Sequence, residues 1–111
     1  MTVATVLLPL KTVSEMNVRT HWASRAKRMK SARRTAAALC PRSPLPVVVT
    51  LTRYSAGTLD DDNLRSALKG ARDGCADALG CDDADPRLRF EYAQEKCKRG
   101  HFGVRVTVEG M

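Results

Sequence analysis

The stretch Val47-VVTLTRYSAGTLDDDNLRSALKGARDGCADAL-Gly80 decides the fold, because its hydrophobic period changes once within it. From Val47 to Tyr54 the run is mostly β-branched or apolar, which reads as a strand buried on one or both faces. Ser55–Leu59, containing Gly57, reads as a turn. Beyond Asp60 the apolar residues recur as Leu64, Ala67, Leu68, Ala71, Cys75, Ala78 and Leu79, the spacing of one helical face. Asp60 or Asp61 caps this helix, which runs to about Leu79, and Gly80 stops it. Gly70 and Gly74 cost helix propensity. Their expected use is the close approach of another backbone.

Outward from this unit the pattern repeats in kind. Thr2–Leu10 is a strand by composition, Thr12–Thr20 a polar loop, and His21–Leu39 a helix with Thr20 as its N-cap. Trp22, Ala26, Met29, Ala36 and Cys40 form the expected apolar side of that helix, with Trp22 as a core anchor. Pro41, Pro44 and Pro46 end it and make a rigid connector. Cys81–Pro86 is an acidic turn. Arg87–Glu95 and Phe102–Glu109 read as strands, joined by Lys96–Gly100 as a basic hairpin loop. The order is β-α-β-α-β-β, a mixed α/β (α+β) single domain over residues 1–111 with a small mixed sheet. Fourteen alanines and only 5% aromatic residues predict a small, aliphatic core. A lone chain of this size buries about two-thirds of its unfolded surface, which leaves room for a partner subunit.

The chain carries 19 Lys+Arg against 12 Asp+Glu, a net charge of +7. Its longest apolar runs, Val3–Leu10 and Leu45–Leu51, fall far short of the roughly 20 residues of a membrane helix. No basic segment precedes the first apolar run, so no signal peptide is expected, and Cys40, Cys75, Cys81 and Cys97 are expected as reduced thiols of a cytoplasmic protein. From Met16 to Thr58 there are nine basic residues and no acid. Seven of them, Arg19, Arg25, Lys27, Arg28, Lys30, Arg33 and Arg34, fall between Arg19 and Arg34. With no interleaved Glu their repulsion is uncompensated within the helix, and a phosphate backbone would compensate it. The bland alternative is a solvated helix face.

Eight of the twelve acids lie between Asp60 and Asp85. Asp60 and Asp62 stand at a strand-to-helix junction, and Asp82 and Asp83 follow the helix. Carboxylates gathered together repel unless a cation sits between them. A hard divalent ion with oxygen ligands, Mg²⁺ above all, meets that need and suits phosphate chemistry. Helix capping by Asp60–Asp62 is the plain alternative, since acids at a helix N-terminus favour its dipole. It does not cover Asp82 and Asp83.

The string Leu59-Asp60-Asp61-Asp62-Asn63-Leu64, followed by Asp77-Ala78-Leu79-Gly80 and Asp82-Asp83, resembles the RusA-type Holliday-junction endonucleases of phages and prophages. The N-terminal apolar strand, the basic helix and the C-terminal hairpin fit the same family. The resemblance implies a RusA-like fold, Mg²⁺-dependent cleavage of four-way DNA junctions, and a homodimer that makes two symmetric cuts. It implies that Asp60, Asp62 and Asp83 are metal ligands and catalytic residues, with Asp82 beside them and Asn63 matching the family asparagine. Ser66 stands where the family places a functional Lys. Lys69 and Arg65 are the two candidates for the missing charge. The DNA-binding set is then Arg19, Arg25, Lys27, Arg28, Lys30, Arg33, Arg34 and Arg65. The Gly70/Gly74 face and the Val-rich strand are the candidate dimer contacts. Two other readings compete: a non-catalytic nucleic-acid-binding module, and a zinc domain built from Cys75, Cys81, Cys97 and His101.

Overall fold

The computed structural model describes residues 3–10, 12, 22–98 and 101–111. Arg19, Thr20 and His21, together with the side chain of Trp22, lie outside what it describes. The elements are β1 (Val3–Leu8), α1 (Trp22–Leu39), β2 (Val47–Ser55), α2 (Asp61–Ala67), α3 (Lys69–Leu79), β3 (Leu88–Lys96) and β4 (Gly103–Gly110). They form a mixed α+β domain with one four-stranded sheet in the order β1-β4-β2-β3. No helix among the described residues is long and apolar enough to cross a membrane.

The expected β3–β4 hairpin is not formed. β2 lies between these strands, pairing in parallel with β3 and antiparallel with β4. Composition explains the choice. Val47, Val49 and Leu51 of β2 and Val104, Val106 and Val108 of β4 are all buried, and both strands gain by sitting centrally. β3 alternates apolar residues with Arg89, Glu91 and Glu95, and charge suits an edge strand. The α2–α3 segment supplies the crossover that a parallel pair requires. β1 closes the other side against β4, with Val3 facing Glu109 and Leu8 facing Val104.

The helices cover one face of this sheet. The core joins Ala36 and Cys40 of α1 and its end to Leu64, Leu68, Ala71 and Cys75, and these to the inward valines of β2 and β4. Among the described side chains, none of the buried ones is aromatic. On the opposite face Thr5, Thr107, Thr50 and Glu91 lie side by side in register. There the Arg105 guanidinium sits 5.3 Å from the centre of the Tyr54 ring.

The predicted helix from Asp60 to Leu79 is divided at Leu68, whose φ of −99° and ψ of 1° leave the helical range. Arg72 N bonds Leu68 O at 2.9 Å, so the ladder resumes at once. The break falls two residues before Gly70, and glycine is a common site of helix kinks. Gly70 and Gly74 serve the close approach that their spacing suggests, and the partner is α1. A Cβ on Gly70 would lie 2.8 Å from Ala32 Cβ, and one on Gly74 would lie 2.6 Å from Ala36 Cβ. Both sequence candidates for a dimer contact are therefore occupied within the chain: α1 covers the glycine face, and β2 is paired on both edges. Ala26, expected on the apolar side of α1, is exposed, because the contact side runs through Met29, Ala32, Ala36 and Cys40. Gly80 ends α3 at φ 74°, where Cys81 N bonds Ala76 O and Gly80 N bonds Asp77 O, both at 3.1 Å. This is the paired closure that a left-handed glycine permits.

Candidate functional site

Asp60 is the residue that caps α2. Its Oδ1 accepts from the backbone N of Asn63 at 2.9 Å and from Asn63 Nδ2 at 2.7 Å. Asp61 and Asp62 fill the first turn, and all three acids are exposed. One cap suffices for a helix of seven residues, so two carboxylates remain beyond what capping uses.

β3 holds this region from below. Its helix-facing residues Phe90, Tyr92 and Gln94 each grip the α2–α3 segment. Leu59 N donates to Gln94 Oε1 at 3.0 Å and Gln94 Nε2 donates to Leu59 O at 2.7 Å, which fixes the backbone next to Asp60. Arg65 stacks over the Tyr92 ring at 5.3 Å. Arg72 stacks over the Phe90 ring at 5.0 Å, donates from Nη1 to the Tyr92 hydroxyl at 3.1 Å, and reaches Asp83 Oδ2 from Nη2 at 3.3 Å. Sequence reasoning missed Arg72, Tyr92 and Gln94. The alternation Leu88, Phe90, Tyr92, Gln94 along one strand face was the available signal.

Asp82 and Asp83 stand in the turn after α3. Asp82 Oδ1 accepts from Ala84 N at 2.9 Å. That bond, with a further one to the Asp83 side chain, holds the Asp82 carboxyl below its usual range. A cavity of about 480 Å³ opens here, walled by Arg33, Lys69, Asp73, Ala76, Asp77, Cys81, Asp82 and Asp83. It gathers Lys69, Asp82, Asp83 and Arg33 from the sequence-predicted set, and Asp60 and Asp62 are not in its walls. Lys69 Nζ lies 3.1 Å from Asp73 Oδ2. Among the described residues, no three His, Cys, Asp or Glu side chains stand together as a metal-holding group. The two acidic groups thus flank a track along β3. Gln94 marks one end and Phe90 the other, four residues or about 13 Å apart by strand rise.

The zinc set does not assemble either. Cys75 is fully buried in α3, where its thiol meets that of Cys40. This bond and burial push the Cys75 thiol well above its ordinary range. Cys97 Sγ contacts the backbone oxygen of His101. All four cysteines are free thiols.

On α1 the basic residues divide by face. Arg25, Lys27, Lys30, Arg33 and Arg34 are exposed and Arg28 is half-buried. Lys27, Lys30 and Arg34 follow one helical stripe, on the side away from Ala32 and Ala36. Arg33 is turned to α3, where Nε and Nη2 bond Asp77 at 2.7 and 2.9 Å. This fork holds the Asp77 carboxyl below its ordinary range. A second cavity, of about 460 Å³, lies between α1 and the α2–α3 junction. Its walls include Leu10, Met29, Ala32 and Ala71, with Lys27 and Arg28 also lining it.

The fold and these sites define a small basic α+β domain with carboxylates at two points along one sheet edge. No family model matches the chain. A protein of Xylella fastidiosa (strain Temecula1 / ATCC 700964), described as an uncharacterized protein, is 38% identical over 78 residues, which covers 60% of this chain and 51% of that protein. The chain spans about half the length of this relative.

Proposed function

We propose that the protein is a RusA-like, Mg²⁺-dependent, structure-selective endodeoxyribonuclease, cutting four-way or other branched DNA by phosphodiester hydrolysis as a homodimer. The observation that carries the reading is the exposed triplet Asp60–Asp62, of which α2 uses one as a cap, clasped from β3 through Leu59. It lies in a chain whose acid-free helix α1 presents Lys27, Lys30 and Arg34 to solvent.

The donor set suits the ion in kind. Asp60 keeps Oδ2 outside its bonds to Asn63, and Asp62 is exposed, so both offer hard oxygen. Mg²⁺ takes one or two protein carboxylates and completes its shell with water and phosphate. Asp83, with Asp82 beside it, belongs to the set through the family resemblance. Bound here, the ion would polarise a phosphoryl oxygen and lower the pKa of an attacking water. The chain's own groups do the rest. Lys27, Lys30 and Arg34 neutralise backbone phosphates. Arg65, spread over Tyr92, offers a planar guanidinium two residues from Asn63. Lys69 lines the cavity that Asp82 and Asp83 also line.

The second reading, a binding module without catalysis, is favoured by one observation: Asp83 is engaged by Arg72 and lines a cavity whose walls do not include Asp60 or Asp62. A labelled synthetic four-way junction separates the two. Cleavage that requires Mg²⁺ and disappears in Asp62→Asn, with binding retained in EDTA, supports the nuclease. Binding without cleavage at any Mg²⁺ concentration supports the module. Equal cleavage by Asp62→Asn and the parent overturns the assignment.

A further inference from the structure

We infer that the edge strand β1 pairs with β1 of a second copy of this chain, antiparallel and centred on Thr5, joining two four-stranded sheets edge to edge. The inference names the contact of the proposed homodimer and rests on that reading. The sheet has two edges, β1 and β3. β3 carries Arg89, Glu91, Glu95 and Lys96, and such charges keep an edge from pairing. β1 carries no charge and no proline over its six residues. An uncharged edge of this length is a template for another strand.

The register shows which groups of β1 are open. Met111 N donates to Pro46 O at 3.1 Å, one step beyond the Val47–Gly110 pair. Bonded and non-bonded pairs alternate along an antiparallel ladder. The odd-numbered residues of β4 therefore bond to β2, and Val104, Val106 and Val108 bond to Leu8, Val6 and Ala4. The N–H and C=O groups of Val3, Thr5 and Leu7 are left turned outward. Val3 and Leu7, 57% and 60% exposed, are also the two most exposed large apolar side chains among the described residues.

These features suit a second copy of the same strand. Antiparallel pairing about Thr5 sets Val3 of each copy opposite Leu7 of the other, so both side chains gain an apolar cross-strand neighbour. All three outward residues exchange N–H···O bonds in that register. Thr5 Oγ1 already lies 3.5 Å from Thr107 Oγ1, and a Thr5–Thr5 pair extends this row of hydroxyls into the second sheet. The contact is isologous and closes at two copies. Its twofold axis stands perpendicular to the sheet, so both helix layers, with Lys27, Lys30 and Arg34 of each α1, come to one side, where a single DNA molecule meets them.

The test is sedimentation of the intact protein over a concentration series, with amide exchange followed by NMR. The parent should dimerise, and the Thr5 and Leu7 amides should gain protection as the concentration rises. The Val6 and Leu8 amides, bonded to β4 throughout, should be protected already. Leu7→Lys puts a charge on the edge and should weaken dimerisation about tenfold or more. Thr5→Pro removes an outward donor at the axis, a place where an edge strand tolerates proline, and should act in the same direction. If the chain dimerises while Thr5 and Leu7 exchange as open amides, or if Leu7→Lys dimerises like the parent, the copies meet elsewhere and the inference fails alone. Protection of Thr5 in a monomer at every concentration would mean that the chain covers its own edge, which also overturns it. If the parent sediments as a monomer both free and on a four-way junction, the homodimer reading fails, and the inference with it.

Discussion

Gln94 closes two hydrogen bonds on the backbone of a single residue, Leu59: it accepts from the N–H at 3.0 Å and donates to the C=O at 2.7 Å. A side-chain amide thereby does for Leu59 what a neighbouring strand would do. Leu59 immediately precedes Asp60, so the direction in which the capping carboxylate leaves the chain is set from β3. Gln94→Leu keeps the bulk and removes both bonds, stranding two half-buried backbone groups. The expected loss is about 1–3 kcal/mol in urea unfolding. Junction cleavage should fall further than DNA affinity does, because α1 is untouched. Equal stability of parent and variant would show that water replaces the clasp without cost.

Gly74 is where α1 and α3 meet most tightly. A Cβ there would meet Arg33 O and would lie 2.6 Å from Ala36 Cβ and 2.9 Å from Ala37 N. In an isolated helix Gly→Ala gains about 1 kcal/mol. Here two of the obstructing atoms are backbone and cannot rotate away, so overpacking prevails. Gly74→Ala should destabilise by about 1–3 kcal/mol. Gly57→Ala, with nothing within 4 Å of the added carbon, serves as the neutral comparison. Thermal unfolding of the two variants decides the point.

Features that depend on near neighbours in the chain were legible in the sequence. The period Leu64–Leu68–Ala71–Cys75, a cap at Asp60 or Asp61, the Gly80 stop and the need for a close partner at Gly70 and Gly74 follow from helix geometry over a few residues. Strand pairing was not legible. Proximity in sequence favours a β3–β4 hairpin, and burial of Val104, Val106 and Val108 beside β2 outweighs it. The same limit applies to the site. That Asp60 caps a helix is local. That Asp83 meets Arg72 depends on which side of α3 faces Phe90 and Tyr92, and this is settled only once β3 has joined β2 in parallel.

Asp85 gives the turn after α3 a dependence on acidity. Its Oδ1 accepts from Arg87 N and Nε, and its Oδ2 accepts from Arg87 Nη2 at 2.8 Å. These bonds, the Arg87 side chain first, hold the carboxyl down to about 2. The folded value lies below the ordinary aspartate value of about 3.9, so the contribution is complete above that value. It is lost as pH falls toward the folded value. Asp85→Asn retains one oxygen for the Arg87 N–H and removes the charge together with the acceptor for Arg87 Nη2. The urea midpoints of parent and variant should differ by a small, constant amount above pH ~5 and converge near pH ~2. A difference that persists unchanged at the acid end would assign the effect to packing rather than to charge.

Arg33 and Arg34 are adjacent in sequence, and the fold sets them apart. Arg33 is neutralised by the two-bond fork to Asp77, whereas Arg34 continues the open stripe of Lys27 and Lys30. Binding to DNA releases counterions for each phosphate neutralised, so the slope of log affinity against log salt counts the cations engaged. Removing one engaged cation should flatten that slope by about 0.9. Lys27→Ala, Lys30→Ala and Arg34→Ala should each do so, on branched and linear duplexes alike, because a backbone contact carries no sequence information. Arg33→Ala should change the slope less, since it removes a cation already paired and frees the Asp77 carboxylate. Slopes unchanged in all three stripe variants would place the DNA on another face. A full change for Arg33→Ala would mean that the Asp77 fork opens when DNA binds.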